Sequence, residues 1–183
     1  MRKITAGLFH SVDGVVEAPN EFQFDSFDDE LGQELGAVMG TVSTVLMGRV
    51  GYQEWAGYWP NAQQDLDFAG FINGVEKFVA SETLEPTDIT WSNAKLIEGD
   101  FLDFVRQLRQ GEGGNIAAMA GISLVRQLLF AGLMDELTLI THPVVAGKGR
   151  HLFEPGDPTT RLDLVRARTT SKGNVLQVYR RLG

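Results

Sequence analysis

The residues best suited to chemistry lie between Asn115 and Phe153. An apolar run, Ile116–Met119, is too short for a helix and reaches Ala120-Gly121, where a helical pattern starts at once with Ile122-Ser123. Leu124, Val125, Leu128 and Leu129 recur at three- and four-residue steps, Gly132 is placed to end the helix, and a second apolar run follows from Leu137 to Val145. Strand, glycine turn, helix, strand puts the free backbone N–H groups of a helix start at a strand's carboxyl end, where α/β proteins bind phosphate. A second candidate turn is Gly48-Arg49, after the β-branched run Thr41–Met47. Arg49 brings a permanent cation whose planar donor fork suits phosphate.

Proton donors are fewer. Asp13 precedes Gly14 in a strong turn signal, while Asp28, Asp29 and Glu30 suit a helix N-terminus, and either place offers a carboxyl group for general acid chemistry. Tyr52, Trp55, Tyr58 and Trp59 fit three roles: core, dimer surface, or a stacking wall for a flat ring. His10, His142 and His151 show no ligand spacing, so no metal site is expected, although His10 on the first strand is placed to face a pocket. The absence of cysteine excludes disulfides, thiolate metal sites and cysteine nucleophiles.

Composition narrows the classes further. The net charge is −8, from 16 basic and 24 acidic residues, which excludes an overall electrostatic footprint for nucleic acid or an anionic membrane. No apolar stretch approaches a membrane span and no signal-peptide core follows Met1-Arg2-Lys3, so a cytoplasmic protein is expected. The 183 residues are expected to form one domain spanning 1–183.

Strands and helices alternate in a way that positions these groups. Strands are predicted over Ile4–Val12, Thr41–Met47, Lys77–Ser81, Ala94–Glu98, Ile116–Met119 and Leu137–Val145. Helices are predicted over Asp28–Met39, Gln63–Gly74, Phe101–Arg109 and from Gly121 to Gly132, with a shorter helix and an aromatic loop after Arg49. Arg161–Thr170 and Val175–Leu182 make a terminal antiparallel pair around Lys172-Gly173-Asn174. The alternation predicts an α/β fold: helices on both faces of a mixed, mostly parallel central sheet that ends in an antiparallel hairpin.

Five ordered segments carry a family resemblance. They are Ser11-Val12-Asp13-Gly14; Val45 through Tyr52; Lys77 through Leu84; Ala120-Gly121; and Gly132 through Leu137 with Pro143 through Gly149 and Leu152-Phe153. The chain resembles the dihydrofolate reductase-like proteins related to the C-terminal reductase domain of the bifunctional riboflavin-biosynthesis deaminase–reductase. The resemblance implies a dihydrofolate reductase-like three-layer sandwich, commonly a homodimer, and an NADPH-dependent reductase. That enzyme would transfer hydride to a small heterocyclic substrate, pterin-like or 5-amino-6-(5-phosphoribosylamino)uracil-like.

The same resemblance implies site residues. Gly48, Arg49 and Val50 would lie near the cofactor phosphates, Ser81 and Thr83 on the adenosine side, and Ala120, Gly121, Ile122 and Ser123 at the pyrophosphate. On the residues themselves, Phe9 and Trp55 are the candidates to meet the substrate, and the proton would come from Asp13, from an acid of the Asp28–Glu30 cluster (Asp28 above all) or from an ordered water. Two departures stand out. The family usually has Gly-Gly where this chain has Ala120-Gly121, and alanine disfavours positive φ. The riboflavin-pathway reductases carry an acid before the glycine turn and a downstream Asp-Pro, whereas this chain has Thr41-Val42-Ser43-Thr44-Val45 and no such Asp-Pro. Two other functional classes fit the same residues: an NADP(H)-binding sensor without efficient turnover, and a purely structural module.

Overall fold

The computed structural model describes residues 1–182. Its strands are β1 (Ile4–His10), β2 (Val42–Gly48), β3 (Glu76–Ala80), β4 (Ala94–Leu96), β5 (Asn115–Met119), β6 (Glu136–Thr141), β7 (Leu162–Thr169) and β8 (Val175–Arg181). Its α-helices are α1 (Asp29–Met39), α2 (Arg49–Tyr58), α3 (Leu66–Gly74), α4 (Phe101–Leu108) and α5 (Ile122–Phe130). The strands form one eight-stranded sheet in the order β4-β3-β2-β5-β1-β6-β8-β7. All pairs from β4 to β6 are parallel, and β8 runs antiparallel to both neighbours. The mixed sheet with its terminal hairpin is the expected architecture.

Alternation along each strand divides the apolar residues between two faces. Ile4, Ala6, Leu46, Ile116, Ala118 and Leu137 face α4 and α5, packing on Val105, Leu124, Val125 and Leu128. The opposite face is covered in two pieces. Val45, Met47 and Val79 pack with Tyr52 and Ile72 of α2 and α3, while Ile140 and Leu176 pack with Leu31 of α1. The two central strands β1 and β5 run between these pieces. On that side β1 presents Gly7, which is exposed, and nothing lies within 4 Å of where its β-carbon would be. An exposed residue on a central strand marks the floor of a cleft.

Three local expectations differ from the structure. The aromatic segment after Arg49 is helix, not loop: α2 runs on to Tyr58 and a short 3₁₀ turn, Trp59–Asn61, follows. β1 ends at His10 and not at Val12, because Ser11 turns to accept Gly14 N–H and Val15 N–H. β6 ends at Thr141, well short of Val145: His142 still donates its N–H to His10, but Pro143 has no N–H to continue the ladder.

Candidate active site

Two strand-to-helix turns meet at the carboxyl end of the sheet. β2 and β5 are neighbours, with Met47 paired to Met119, so Gly48-Arg49 and Ala120-Gly121 leave the sheet side by side. A β-carbon on Gly121 would sit 3.1 Å from the Gly48 nitrogen. One on Gly51 would sit 1.9 Å from the Ala120 carbonyl oxygen and 2.5 Å from the Ala120 β-carbon. Ala120 itself has φ 51°, in the left-handed region that the sequence departure made costly. The close approach expected of the small residues is thus made first between the two turns.

The helix starts differ in their capping. α1 and α4 begin with Asp28 and Asp100, whose carboxylates accept N–H groups of their own first turns, and acids follow in both. α3 also carries Asp67 in its first turn. Only α2 and α5, among the described α-helices, have neither a side-chain cap nor an acid in the first turn. Their orphan N–H groups and positive dipole ends are left for a ligand. Two exposed cations stand at these starts without a carboxylate partner among the described residues. Arg49 contacts only Gln53, at 3.2 Å, and Arg150 reaches Ser123 Oγ at 3.4 Å. Anionic oxygen is what this arrangement accommodates.

Residues 2–176 match the model of the RibD C-terminal domain. The chain belongs to that family. An uncharacterized protein of Bacillus subtilis, YyaP, is 30% identical over 182 residues, covering 97% of this chain and 94% of the relative. Among solved structures, a putative riboflavin biosynthesis protein from Shewanella sp. PV-4 is similar with a TM-score of 0.75 at 16% identity, covering 99% of both chains. A pyrimidine reductase-like protein from Corynebacterium diphtheriae has a TM-score of 0.69 at 16% identity, covering all of this chain and 92% of its own. The Thermotoga maritima diaminohydroxyphosphoribosylaminopyrimidine deaminase/5-amino-6-(5-phosphoribosylamino)uracil reductase matches with a TM-score of 0.68 at 13% identity, and 57% of that longer chain is covered. At these identities the solved structures show a shared fold.

Within this RibD-type fold, the remaining sequence-derived residues fall into place unevenly. Val50 is exposed in the first turn of α2. Ser81 follows the end of β3, whose Ala80 pairs with Gly48, so it borders the Arg49 turn. Its hydroxyl oxygen accepts the Thr83 and Leu84 N–H groups, and the Thr83 side chain is exposed. Phe9 lies on the α1 face beside Phe27 and the ring of buried His142, at 6.3 and 5.5 Å. Trp55 is committed elsewhere, edge-on to Trp59 and Phe68 at 6.0 and 5.6 Å. Within the chain Trp55 and Trp59 thus fasten α3 to α2, Tyr52 packs on Trp91, and Tyr58 stays half exposed.

The two acids singled out as proton donors are held as anions. Hydrogen bonds from the Ser11 hydroxyl and from Ala146 and Gly147 N–H keep the Asp13 carboxyl down at about 2. For Asp28, burial pushes upward, but hydrogen bonds from Thr170, Leu31 N–H, Lys172 N–H and Asn174 outweigh it and hold the carboxyl low. Asp13 ties the β1 turn to the loop after β6, and Asp28 ties α1 to the terminal hairpin. Lys148, in the loop after β6, pairs with Glu21 at 3.0 Å. His10 turns away from the cleft, donating from Nδ1 to the Ser11 carbonyl while Nε2 meets the Thr141 hydroxyl. It lines a separate apolar hollow of about 170 Å³ with Leu139, His151 and Phe153.

A separate surface depression lies between α1 and α3. It measures about 460 Å³ and is bounded by Phe27, Asp28, Asp29, Gly32, Gln33 and Asp67. Sequence reading did not single out Gly7 or Arg150, because the exposure of the one and the contact of the other with Ser123 depend on elements distant in the chain. Gly51 carried a signal: a glycine inside a helix costs about 1 kcal/mol relative to alanine and calls for a packing reason.

Proposed function

We propose that this protein is an NADPH-dependent oxidoreductase that transfers hydride to a small heterocyclic substrate. The observation that carries the reading is the pair of interlocked helix starts, α2 and α5, free of caps and acids and flanked by Arg49 and Arg150. Family membership over residues 2–176 and the reductases among the similar structures point the same way.

The residues present fit a dinucleotide. Gly48, Arg49 and Val50 on one side and Ala120, Gly121, Ile122 and Ser123 on the other would hold its phosphates, with Arg150 added to the set. Ser81 and Thr83 border the same turn and would meet the adenosine half. When bound, NADPH supplies the hydride, and the protein's task is to orient and enclose it. The exposed Gly7 backbone on β1, walled by Phe9 and α1, leaves room for a flat substrate. Asp13 and Asp28, both ionised, shape the surrounding loops, and water in the open cleft is the proton source.

A second reading, binding of NADP(H) without efficient turnover, is favoured by the commitment of both acids to structural hydrogen bonds. Saturable quenching of protein fluorescence by NADPH tests the cofactor site, and its absence up to millimolar cofactor would sink both readings. Substrate-dependent loss of NADPH absorbance then separates enzyme from sensor. We further propose a cytoplasmic homodimer acting on a small molecule. No described helix is long and apolar enough to cross a membrane.

A further inference from the structure

Arg150 combines a firmly held backbone with a free head. Its carbonyl oxygen accepts the Val16 N–H at 2.9 Å and the Glu17 N–H at 3.4 Å, and its own N–H donates to Glu17 Oε2 at 3.1 Å. An antiparallel bridge between Val15 and His151 continues the pairing. Gly149 makes the approach possible: its φ is +110°, and a β-carbon there would lie 2.7 Å from Val15 Cγ1. Ahead of this pairing, Asp13 accepts the Ala146 and Gly147 N–H groups on its two oxygens, each at 2.9 Å. Buried Val15, Val16 and Leu152 root the joined loops in the core. The Arg150 guanidinium, by contrast, makes one hydrogen bond among the described residues, to the Ser123 hydroxyl in the first turn of α5.

Charge alone does not account for this arrangement. Of the acids within residues 13–21, Glu21 pairs with Lys148, whereas Asp13 and Glu17 have no cation partner among the described residues. As bare charges, two unpaired carboxylates near an anion-accommodating turn oppose anion binding. Their oxygens are occupied instead by backbone N–H groups of the segment that carries Arg150. We infer that residues 13–17 and 146–151 form a strap in which Asp13 and Glu17 are positioning residues, holding Arg150 at the α5 start for a phosphate-bearing ligand. This rests on the cofactor reading above and deepens it. Neither carboxylate touches the ligand; each acts through the backbone of the strap. With that backbone already fixed, less freedom is lost when the guanidinium meets phosphate.

The sign of a matched pair of variants tests the strap, read by NADPH titration of the intact protein. Glu17→Ala removes a negative charge together with the acceptor for the Arg150 N–H, and should weaken binding by about threefold to tenfold. Glu17→Gln removes the same charge but keeps an acceptor, and should bind as the parent does or tighter. In an Arg150→Ala background, Glu17→Ala should change affinity by less than about twofold, the coupling required if Glu17 acts through Arg150. Asp13→Ala repeats the same cycle at the other end of the strap. Unchanged or tighter NADPH binding by Glu17→Ala overturns the inference and leaves the cofactor reading standing, as does an equal loss with and without Arg150. ADP and FMN serve as further probes. If either binds with the Glu17–Arg150 coupling while NADPH does not bind, the reductase reading falls and the strap stands; if no probe binds at millimolar concentration, both fall.

Discussion

Gly51 of α2 and Ala120 of the β5 turn are in backbone contact, close enough that a β-carbon on Gly51 would lie 1.9 Å from the Ala120 carbonyl oxygen. This contact, with the approach of Gly121 to Gly48 beside it, packs the two helix starts together. Glycine at position 51 is what lets the two uncapped N-termini open toward the same volume.

Gly51→Ala tests the lock by its sign. In an open helix the change gains about 1 kcal/mol from propensity. Here the methyl meets backbone that cannot rotate away, and we expect destabilisation of about 3 kcal/mol or more with loss of NADPH quenching. Ala120→Gly relieves the left-handed strain at φ 51° and should leave stability within about 1 kcal/mol of the parent. The double variant should stay destabilised, since the clashing carbonyl persists. Urea denaturation reads all three, and a stabilised Gly51→Ala would refute the contact.

Arg49→Ala and Arg150→Ala should each weaken NADPH binding by about tenfold, the worth of one charge-assisted contact. Neither should move the melting temperature much, because each side chain has only a single neutral partner, Gln53 or Ser123. Unchanged affinity in both variants would remove the phosphate role from these turns.

Lys77 is fully buried, and its ammonium donates to the Ile72 and Val75 carbonyls at 2.8 Å as it closes the end of α3. Burial pushes it from the ordinary 10.5 down to about 8. The folded state then binds fewer protons than the unfolded chain between these values, so this group's contribution to stability rises with pH across that window and is lost as pH falls through about 8. The stability difference between the parent and Lys77→Met should shift in the parent's favour from pH 8 to pH 10, by roughly 1 kcal/mol or more. A constant difference would mean that the buried amine does not titrate in this range.

Asp13 works in the acid direction. Held at about 2 by the Ser11 hydroxyl and the Ala146 and Gly147 N–H groups, it braces the loop after β6 above the ordinary 3.8 and releases it as pH falls toward 2. Amide exchange at Ala146 and Gly147 should accelerate over that interval in the parent and already be fast at neutral pH in Asp13→Ala. Identical exchange in the two proteins would separate Asp13 from the loop.

Much of the fold was legible in the chain because periodicity is local. The β-branched run before Gly48, the three- and four-residue steps of α5 and the acid-capped start of α1 each declare an element within a dozen residues. The ends were less legible. β6 stops where Pro143 removes a donor, and the aromatics after Arg49 read as loop because Phe68, the partner of Trp55 and Trp59, lies on another helix.

By itself the sequence determined which turns expose helix starts, where the permanent cation Arg49 stands, and that Ala120 occupies a position meant for glycine. Only the tertiary structure decided which of those starts face one another, that Arg150 joins them, and that Asp13 and Asp28 are bound anions. The reason is physical. Turn chemistry and amphipathic spacing are written in neighbouring residues, whereas charge compensation depends on strands brought together across the order β2-β5-β1-β6. The same distinction leaves Glu30 and Glu34 neutralised and Asp28 and Asp29 unpaired within one short helix.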